Sequence, residues 1–270
     1  MRSPEASAVG LSTLAALIAA FLGLPIIVLV IRAAMASSDA GFALAPAVLD
    51  ALGLSLATTA VSLVLTVLLG TPLALLLARR RFRGSGLLEA VVDLPIVLPP
   101  SVAGLALLFV FGRRGLIGEP LGLMGVSIPF TTVAVVIAQS FVAAPFFIRS
   151  ARAGIAAVDR DLEDAARADG ASELQVVRRV TLPLAGSALA AGLVMAWARS
   201  LGEFGATIMF AGNLPGRTQT LPLVVYAEFQ AGDLAASTGA AAILVLAALG
   251  VLVAVRTLHW GRALDVRRLA

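Results

Sequence analysis

Cysteine, histidine and lysine, which carry much of protein chemistry, are almost missing from this chain of 270 residues. There is no cysteine and one histidine, His259. That removes disulfides, thiolate metal sites and cysteine nucleophiles, and it leaves no histidine cluster and no Ser-His-Asp triad. The 20 basic side chains are all arginine. A P-loop nucleotidase needs the lysine of G-x-x-x-x-G-K-[ST] to reach the transferring phosphates. If ATP drives this protein, a different chain must bind it. The chemistry left is that of carboxylates and guanidinium groups at particular spacings. Arg199 and Glu203 stand four apart inside an apolar run, so in a helix they share one face. Asp159, Asp161, Glu163 and Asp164 crowd together within a polar stretch that continues through Gly170 to Arg178 and Arg179.

The elements that must position these groups are set by composition. The chain is 60% hydrophobic and 13% charged, against roughly half apolar and a quarter charged in soluble domains. A bilayer-spanning helix takes about 20 mostly apolar residues. Six stretches come near that: Val9–Ile31, Ala51–Ala78, Leu87–Phe111, Thr131–Ile148, Leu184–Phe210 and Ala235–Leu258. An all-α integral membrane protein with about six transmembrane helices is expected. With both termini inside, 15 arginines fall on the inner side and 4 on the outer side, namely Arg32, Arg113, Arg114 and Arg217. That asymmetry fixes the orientation by the positive-inside rule. It also accounts for a pI of 11.1 without nucleic acid. The first run, followed by Ala34-Met35-Ala36, could be a secretory signal. At 23 residues it exceeds the 7–15 of a signal core, so a retained helix is expected.

Prolines 25, 72, 95, 99, 100 and 145 lie within or near span ends. Each removes a backbone donor, which the membrane tolerates where protein or a watered cavity satisfies the freed carbonyl. The Pro99-Pro100 doublet is the most demanding and suggests that the third span faces protein or a pathway. The polar stretch 149–183 reads as two short helices meeting at a turn. Acids gather where the first helix dipole favours them, and Gly170 can take the left-handed conformation that ends it. Ser172-Glu173-Leu174-Gln175 makes a capping box, and Pro183 suits a first helical turn. Such a loop, leading straight into the fifth span, could act as a lever for a cytoplasmic partner.

Here a family likeness enters. Asp164-Ala165-Ala166, Gly170, then nine residues and Val180-Thr181-Leu182-Pro183 resembles the EAA loop, E-A-A-x3-G-x9-I-x-L-P, of binding-protein-dependent ABC importer permeases. Asp164 stands for Glu, with Glu163 just before it, and Val180 stands for Ile. The resemblance implies the type I permease fold over 51–258, and a loop including Glu163, Asp164, Ala165, Ala166, Gly170, Val180, Leu182 and Pro183 that couples to an ATPase subunit. Residues 1–50 then form an N-terminal helix and outer loop, and 259–270 a cytoplasmic tail.

Two further runs are similar to the molybdate permeases. They are Leu94–Gly104 with Phe111–Gly118, and Ala198–Leu223. Sulfate permeases carry a stretch like Gly202-Glu203-Phe204-Gly205. The resemblance implies import of molybdate, with tungstate, sulfate or thiosulfate as alternatives. It implies a second copy of the chain, a pair of ATPase subunits that use ATP and Mg2+, an extracytoplasmic molybdate-binding protein and a lipid bilayer. The location implied is a prokaryotic cytoplasmic membrane, with both termini cytoplasmic. This chain itself is expected to bind no cofactor and no metal, to contact no nucleic acid and to be no enzyme.

Pro99, Pro100, Arg199, Gly202, Glu203, Phe204, Gly205 and Thr207 are the pathway or gate candidates. Arg199 either pairs with Glu203 to position span five or binds the oxyanion. A bare Glu203 beside a dianion would repel it, which favours the ion pair. Phe204 either plugs a gate or packs as an ordinary apolar side chain. Gly202 and Gly205 allow backbones to approach closely. Leu221–Leu234 reads as an interfacial helix or loop on the outer face, and His259-Trp260 as a span-end aromatic belt. An ion-coupled carrier would show inverted repeats and midplane carboxylates. No repeat is visible, and Asp93 and Glu203 are the deep carboxylates. A membrane enzyme finds almost no machinery here.

Overall fold

A computed structural model describes residues 4–36, 46–80 and 82–268, with side chains over 11–35, 46–80 and 82–253. All elements among the described residues are helical: α1 (Pro4–Ala36), α2 (Pro46–Arg79), α3 (Ser85–Val97), α4 (Pro100–Phe111), α5 (Gly118–Leu123), α6 (Thr132–Ala156), α7 (Arg160–Ala168), α8 (Glu173–Val176), α9 (Leu182–Leu184), α10 (Gly186–Leu201), α11 (Gly205–Phe210), α12 (Leu221–Gln230) and α13 (Leu234–Arg268). A π-helical turn, Val177–Thr181, joins α8 to α9. Four helices are long and apolar enough to cross a membrane, and six spans result if each bent pair counts as one.

α6 is the centre of the bundle, packed against α2 and α10. Small side chains make this possible. α2 turns Ser55, Thr58, Thr59, Ser62, Thr66, Gly70 and Ala74 inward along one face, a column with helical spacing. A Cβ on Gly70 would come within 3.0 Å of Ile148, and one on Gly192 within 2.7 Å of Ser150. In a bilayer, close packing of this kind replaces the hydrophobic drive. Ser62 Oγ accepts hydrogen bonds from Ser140 of α6 at 3.1 Å and Ser200 of α10 at 3.3 Å. Interhelical bonds of this type contribute only about 0.6 kcal/mol each, so the junction serves register more than strength.

Neighbouring contacts fix the directions. Ser62 meets Ser140, Gly70 meets Phe147, and Arg79 reaches Val158, so α2 and α6 run parallel. Gly192 lies at Ser150, and Ser200 at the level of Ser140, so α10 runs antiparallel to them. One end of the bundle therefore holds Arg79, Ala156 and the polar loop. The other holds the start of α6 and the end of α11, where Phe130 N–H donates to the Phe210 carbonyl at 3.4 Å.

The structure departs from expectation in two of the spans. The third divides at Leu98-Pro99 with a bend of 119° between its halves, because Pro100 opens α4 at its first turn. The fifth bends by 73° at Leu184–Gly186 and breaks again at Gly202–Phe204, between α10 and α11. The isolated prolines Pro25, Pro72, Pro95 and Pro145 stay inside unbroken helices. The 149–183 loop is shorter than expected because α6 continues to Ala156. Leu221–Leu234 is only half interfacial. α12 buries Leu221, Pro222, Leu223 and Val224, and Leu221 N–H donates to Ser55 Oγ at 2.7 Å. Tyr226 and Phe229 stay exposed. The side chains of His259 and Trp260 lie outside the described residues. α1 is unbroken through Ala34–Ala36 and is apolar all round, leaning on α13.

Candidate functional site

The loop is built from local signals. Asp159 caps α7, its carboxylate accepting from the Asp161 N–H at 3.0 Å. Gly170 takes φ +88°. Its N–H donates to the Arg167 carbonyl, and Ala171 N–H to the Ala166 carbonyl, both at 3.0 Å. This pair of bonds is a complete Schellman ending. Ser172 and Gln175 then exchange the two bonds of a capping box. In the π turn, Leu182 N–H reaches back five residues to Val177. Pro183 could not bond the Arg179 carbonyl, and its ring would collide with it in a regular helix. The wider turn relieves that collision and directs Thr181 inward, where it is buried.

Glu163 is the hub. It is 4% exposed, and its Oε1 accepts from Arg79 Nη2 and from Thr181 Oγ1, both at 2.6 Å. The same Arg79 nitrogen donates to the Val158 carbonyl at 3.2 Å. One carboxylate thus ties the end of α2, the loop helix α7 and the π turn that leads to α10. Asp164, at the motif's Glu position, points the other way. Its side chain is 70% exposed and, among the described residues, pairs with Arg167 alone, at 2.7 Å. Ala165, Gly170 and Pro183 are exposed, Ala166, Val180 and Leu182 half-buried. Leu162 and Leu174 also face out. Arg167 further bonds Glu173 at 2.7 Å. That hydrogen bond, ahead of the plain charge attraction, holds the Glu173 carboxyl below its usual range. The hydrogen bonds from Arg167 to Glu173 and Asp164 push the guanidinium upward. A groove of about 680 Å3 beside the hub is lined by Arg79, Arg80, Arg160, Glu163, Arg167 and Glu173 among others.

The second constellation lies where the two broken spans meet. A Cβ on Gly205 would fall 2.5 Å from that of Pro100, and one on Gly104 2.7 Å from the Ala206 carbonyl. The break at Pro99-Pro100 and the break at Gly202–Phe204 therefore pack against each other. Arg199 Nη1 and Glu203 Oε2 form an ion pair at 2.6 Å. The shared face expected of a continuous helix is not its cause, since α10 ends at Leu201. Glu203 sits in the break, 1% exposed. Its other oxygen accepts the Ala206 N–H at 2.7 Å, and so starts α11. The Phe204 ring packs tilted against Tyr226, with centroids 4.9 Å apart. Thr207 is fully buried, and its hydroxyl has no hydrogen-bond partner among the described residues. The structure thus brings Pro100, Glu203, Gly205 and Arg199 together, and it keeps them far from the loop residues.

Sequence reasoning missed Arg79 and Thr181, the partners of Glu163. The only available signal was the Arg79–Arg81 run at a span end. It also missed the serine junction, although the polar column of α2 was visible as a period. Asp93 and Glu89 pair across to Arg149 at 3.7 Å and Arg152 at 2.8 Å, a short charge ladder between α3 and α6. No group of three or more metal-ligating side chains exists among the described residues.

The chain is similar to known transport proteins in sequence and in fold. The family described as binding-protein-dependent transport system inner membrane component matches residues 70–260. The molybdenum transport system permease protein ModB of Mycobacterium tuberculosis is 48% identical over 207 residues, 77% of this chain and 78% of that protein. The sulfate transport system permease protein CysT of Salmonella typhimurium is 34% identical over 214 residues, 79% of this chain and 77% of that protein. A bacterial ABC transporter involved in alginate import contains a chain of TM-score 0.72 at 18% identity, covering 93% of both chains. A chain of the MetNI methionine ABC transporter gives TM-score 0.60 at 22% identity, covering 78% of this chain and 94% of that one. These two likenesses concern the fold alone. The match over 70–260 extends from the last third of α2 through the loop and both breaks, and by it the chain belongs to the binding-protein-dependent transport system inner membrane components.

Proposed function

We propose that this chain is the membrane-spanning subunit of an ATP-driven importer that carries molybdate into the cytoplasm. A partner ATPase engages the outward side of the loop, around Leu162, Asp164, Ala165 and Leu174. The observation that carries this reading is the Glu163 hub. A push on α7 does not stay in α7, because the buried carboxylate is bonded at 2.6 Å both to α2 and to the π turn that leads through α9 to α10. α10 leads into the broken-span junction, so the loop acts on the region where a route would open. ATP and Mg2+ belong to the partner. The assembly consists of two copies of this chain, two ATPase subunits and an extracytoplasmic binding protein, with the loop end and both termini on the cytoplasmic side.

The cargo reading is supported by the higher identity to a molybdenum permease, 48%, than to a sulfate permease, 34%. The experiment is uptake into proteoliposomes holding this chain, its ATPase and its binding protein. ATP-dependent accumulation of molybdate, competed by tungstate and weakly by sulfate, is expected. Uptake driven by a proton gradient without the ATPase would overturn the importer reading. Preferential uptake of sulfate would overturn the cargo.

A further inference from the structure

The two sequence runs that resemble oxyanion permeases have so far accounted for the breaks only. Their remaining parts, Phe111–Gly118 and Ala211–Leu223, lie far apart in the chain. They meet at the end of the bundle opposite the loop, around a cavity of about 350 Å3. Each run contributes one arginine to its wall, Arg113 and Arg217, alongside Gly112, Ser127, Phe130 and Thr131. Arg113 and Ser127 also line an adjoining cavity of about 330 Å3. Among the described residues no carboxylate lines either space.

Among the described residues the two guanidinium groups have no ion-pair partner. Both residues are exposed. By contrast, Arg79, Arg149, Arg152, Arg167 and Arg199 all enter ion pairs. Asp50, the acid on this part of α2, lines a different cavity with Pro215, Gly216 and Gln219.

The backbone under the arginines is held while the side chains are not. Thr132 Oγ1 donates to the Arg217 carbonyl at 2.9 Å. Gly112 N–H donates to the Leu108 carbonyl at 2.8 Å. Between them stands Phe130, the one non-glycine among the described residues with positive φ, at 60°. Such a conformation is costly for a bulky residue and is retained where surrounding structure demands it. Its ring lies within 3.0 Å of where a Cβ on Gly212 would sit, which clamps the second run beside the first.

Two fixed anchors with free cationic forks suit a small anion with several equivalent oxygens. A guanidinium presents parallel donors that match oxyanions two at a time. A concave site of one sign concentrates its counter-ion and speeds capture. Exposure keeps the binding weak, as a site that must pass its ligand on requires.

We propose that Arg113 and Arg217 form a receiving site for a tetrahedral divalent oxyanion at the end of the chain opposite the loop. The site accepts the ion before it reaches the broken-span junction. The proposal rests on the reading of the chain as an oxyanion importer subunit and adds a way-station to it.

The test uses the full complex of this chain with its ATPase in nanodiscs, without the binding protein, titrated with sodium molybdate at low ionic strength. Saturable binding is expected. In the Arg113→Gln/Arg217→Gln double variant it weakens at least tenfold, while Arg113→Lys/Arg217→Lys retains part of it. Raising sodium chloride weakens the parent more steeply than the double Gln variant. Identical molybdate titrations for parent and double Gln variant overturn the site. So does a double variant that binds molybdate normally but loses affinity for the binding protein, since the arginines would then dock a protein surface. Uptake assayed in parallel separates the two readings. A parent that imports molybdate without arginine-dependent binding refutes this site alone, and a parent that imports no oxyanion refutes the function beneath it.

Discussion

Two buried glutamates, both nearly sealed from solvent, do opposite things. Glu163 draws its partners from far along the chain, Arg79 from 84 residues away and Thr181 from 18. Glu203 draws them from its own neighbourhood, Arg199 four residues before and the Ala206 N–H three residues after. The first joins three elements into one body. The second shapes a discontinuity inside a single span and lets it persist in a low-dielectric setting. A buried carboxylate is thus a fastener or a hinge pin according to the sequence distance of what it binds.

The contrast predicts a ranking. Glu163→Ala strands Arg79 and Thr181, and breaking such a buried pair costs about 3–5 kcal/mol. The expected result is a marked fall in the thermal unfolding midpoint of the purified complex and loss of uptake. Asp164→Ala, next door but exposed, is expected to cost no more than about 0.5 kcal/mol of stability and so to leave the midpoint nearly unmoved, and a large effect there would reverse the assignment of the hub. Glu203→Gln keeps an oxygen for the Ala206 N–H but leaves Arg199 unpaired. Insertion scales set that cost at about 2.5–3.5 kcal/mol for a mid-membrane charge, and the 28% exposure of the Arg199 side chain reduces it.

Adding Arg199→Met to Glu203→Gln should restore stability. If denaturant midpoints show the double variant no better than the single, the pair is not what holds the break. Gly205→Ala drives a methyl into Pro100 and is expected to cost about 1–3 kcal/mol, with a crosslink between positions 101 and 206 forming more slowly. The smallest effect belongs to the exposed Arg167–Glu173 bond. Because the folded carboxyl is held below its usual range, the bond contributes fully above pH about 4.3 and fades as pH falls through the depressed value. Hydrogen exchange at Gly170–Ser172 should be flat from pH 7 to 5 once corrected for intrinsic rates, and should show lost protection only below the ordinary carboxylate range.

The same contrast explains what could be read in advance. Gly170, the Ser172 box and Asp159 act on backbone within a few residues, so type and spacing suffice to place them. The Glu203 pair was legible for that reason, although a continuous helix was the wrong reason for it. Which of Glu163 and Asp164 turns inward was not legible. The answer depends on the phase of α7 against α2, and that is decided by packing. The burial of Leu221–Val224 escaped notice because an apolar stretch beside polar residues reads alike whether it floats at an interface or plugs into Ser55. The Pro99-Pro100 break was visible, but not that a second break would lie against it.

The serine junction has a mechanical consequence. Ser140 stands eight residues from one end of α6 and sixteen from the other, or about 12 Å and 24 Å at 1.5 Å per residue. A stiff rod pinned there is an unequal lever. Were it to tilt by about 10°, the end beside Glu163 would sweep about 4 Å and the end beside Arg217 about 2 Å, in opposite directions. Coarse travel at the loop would become half-scale, reversed travel at the far mouth, a gearing set by nothing more than where along the rod a small hydroxyl was placed.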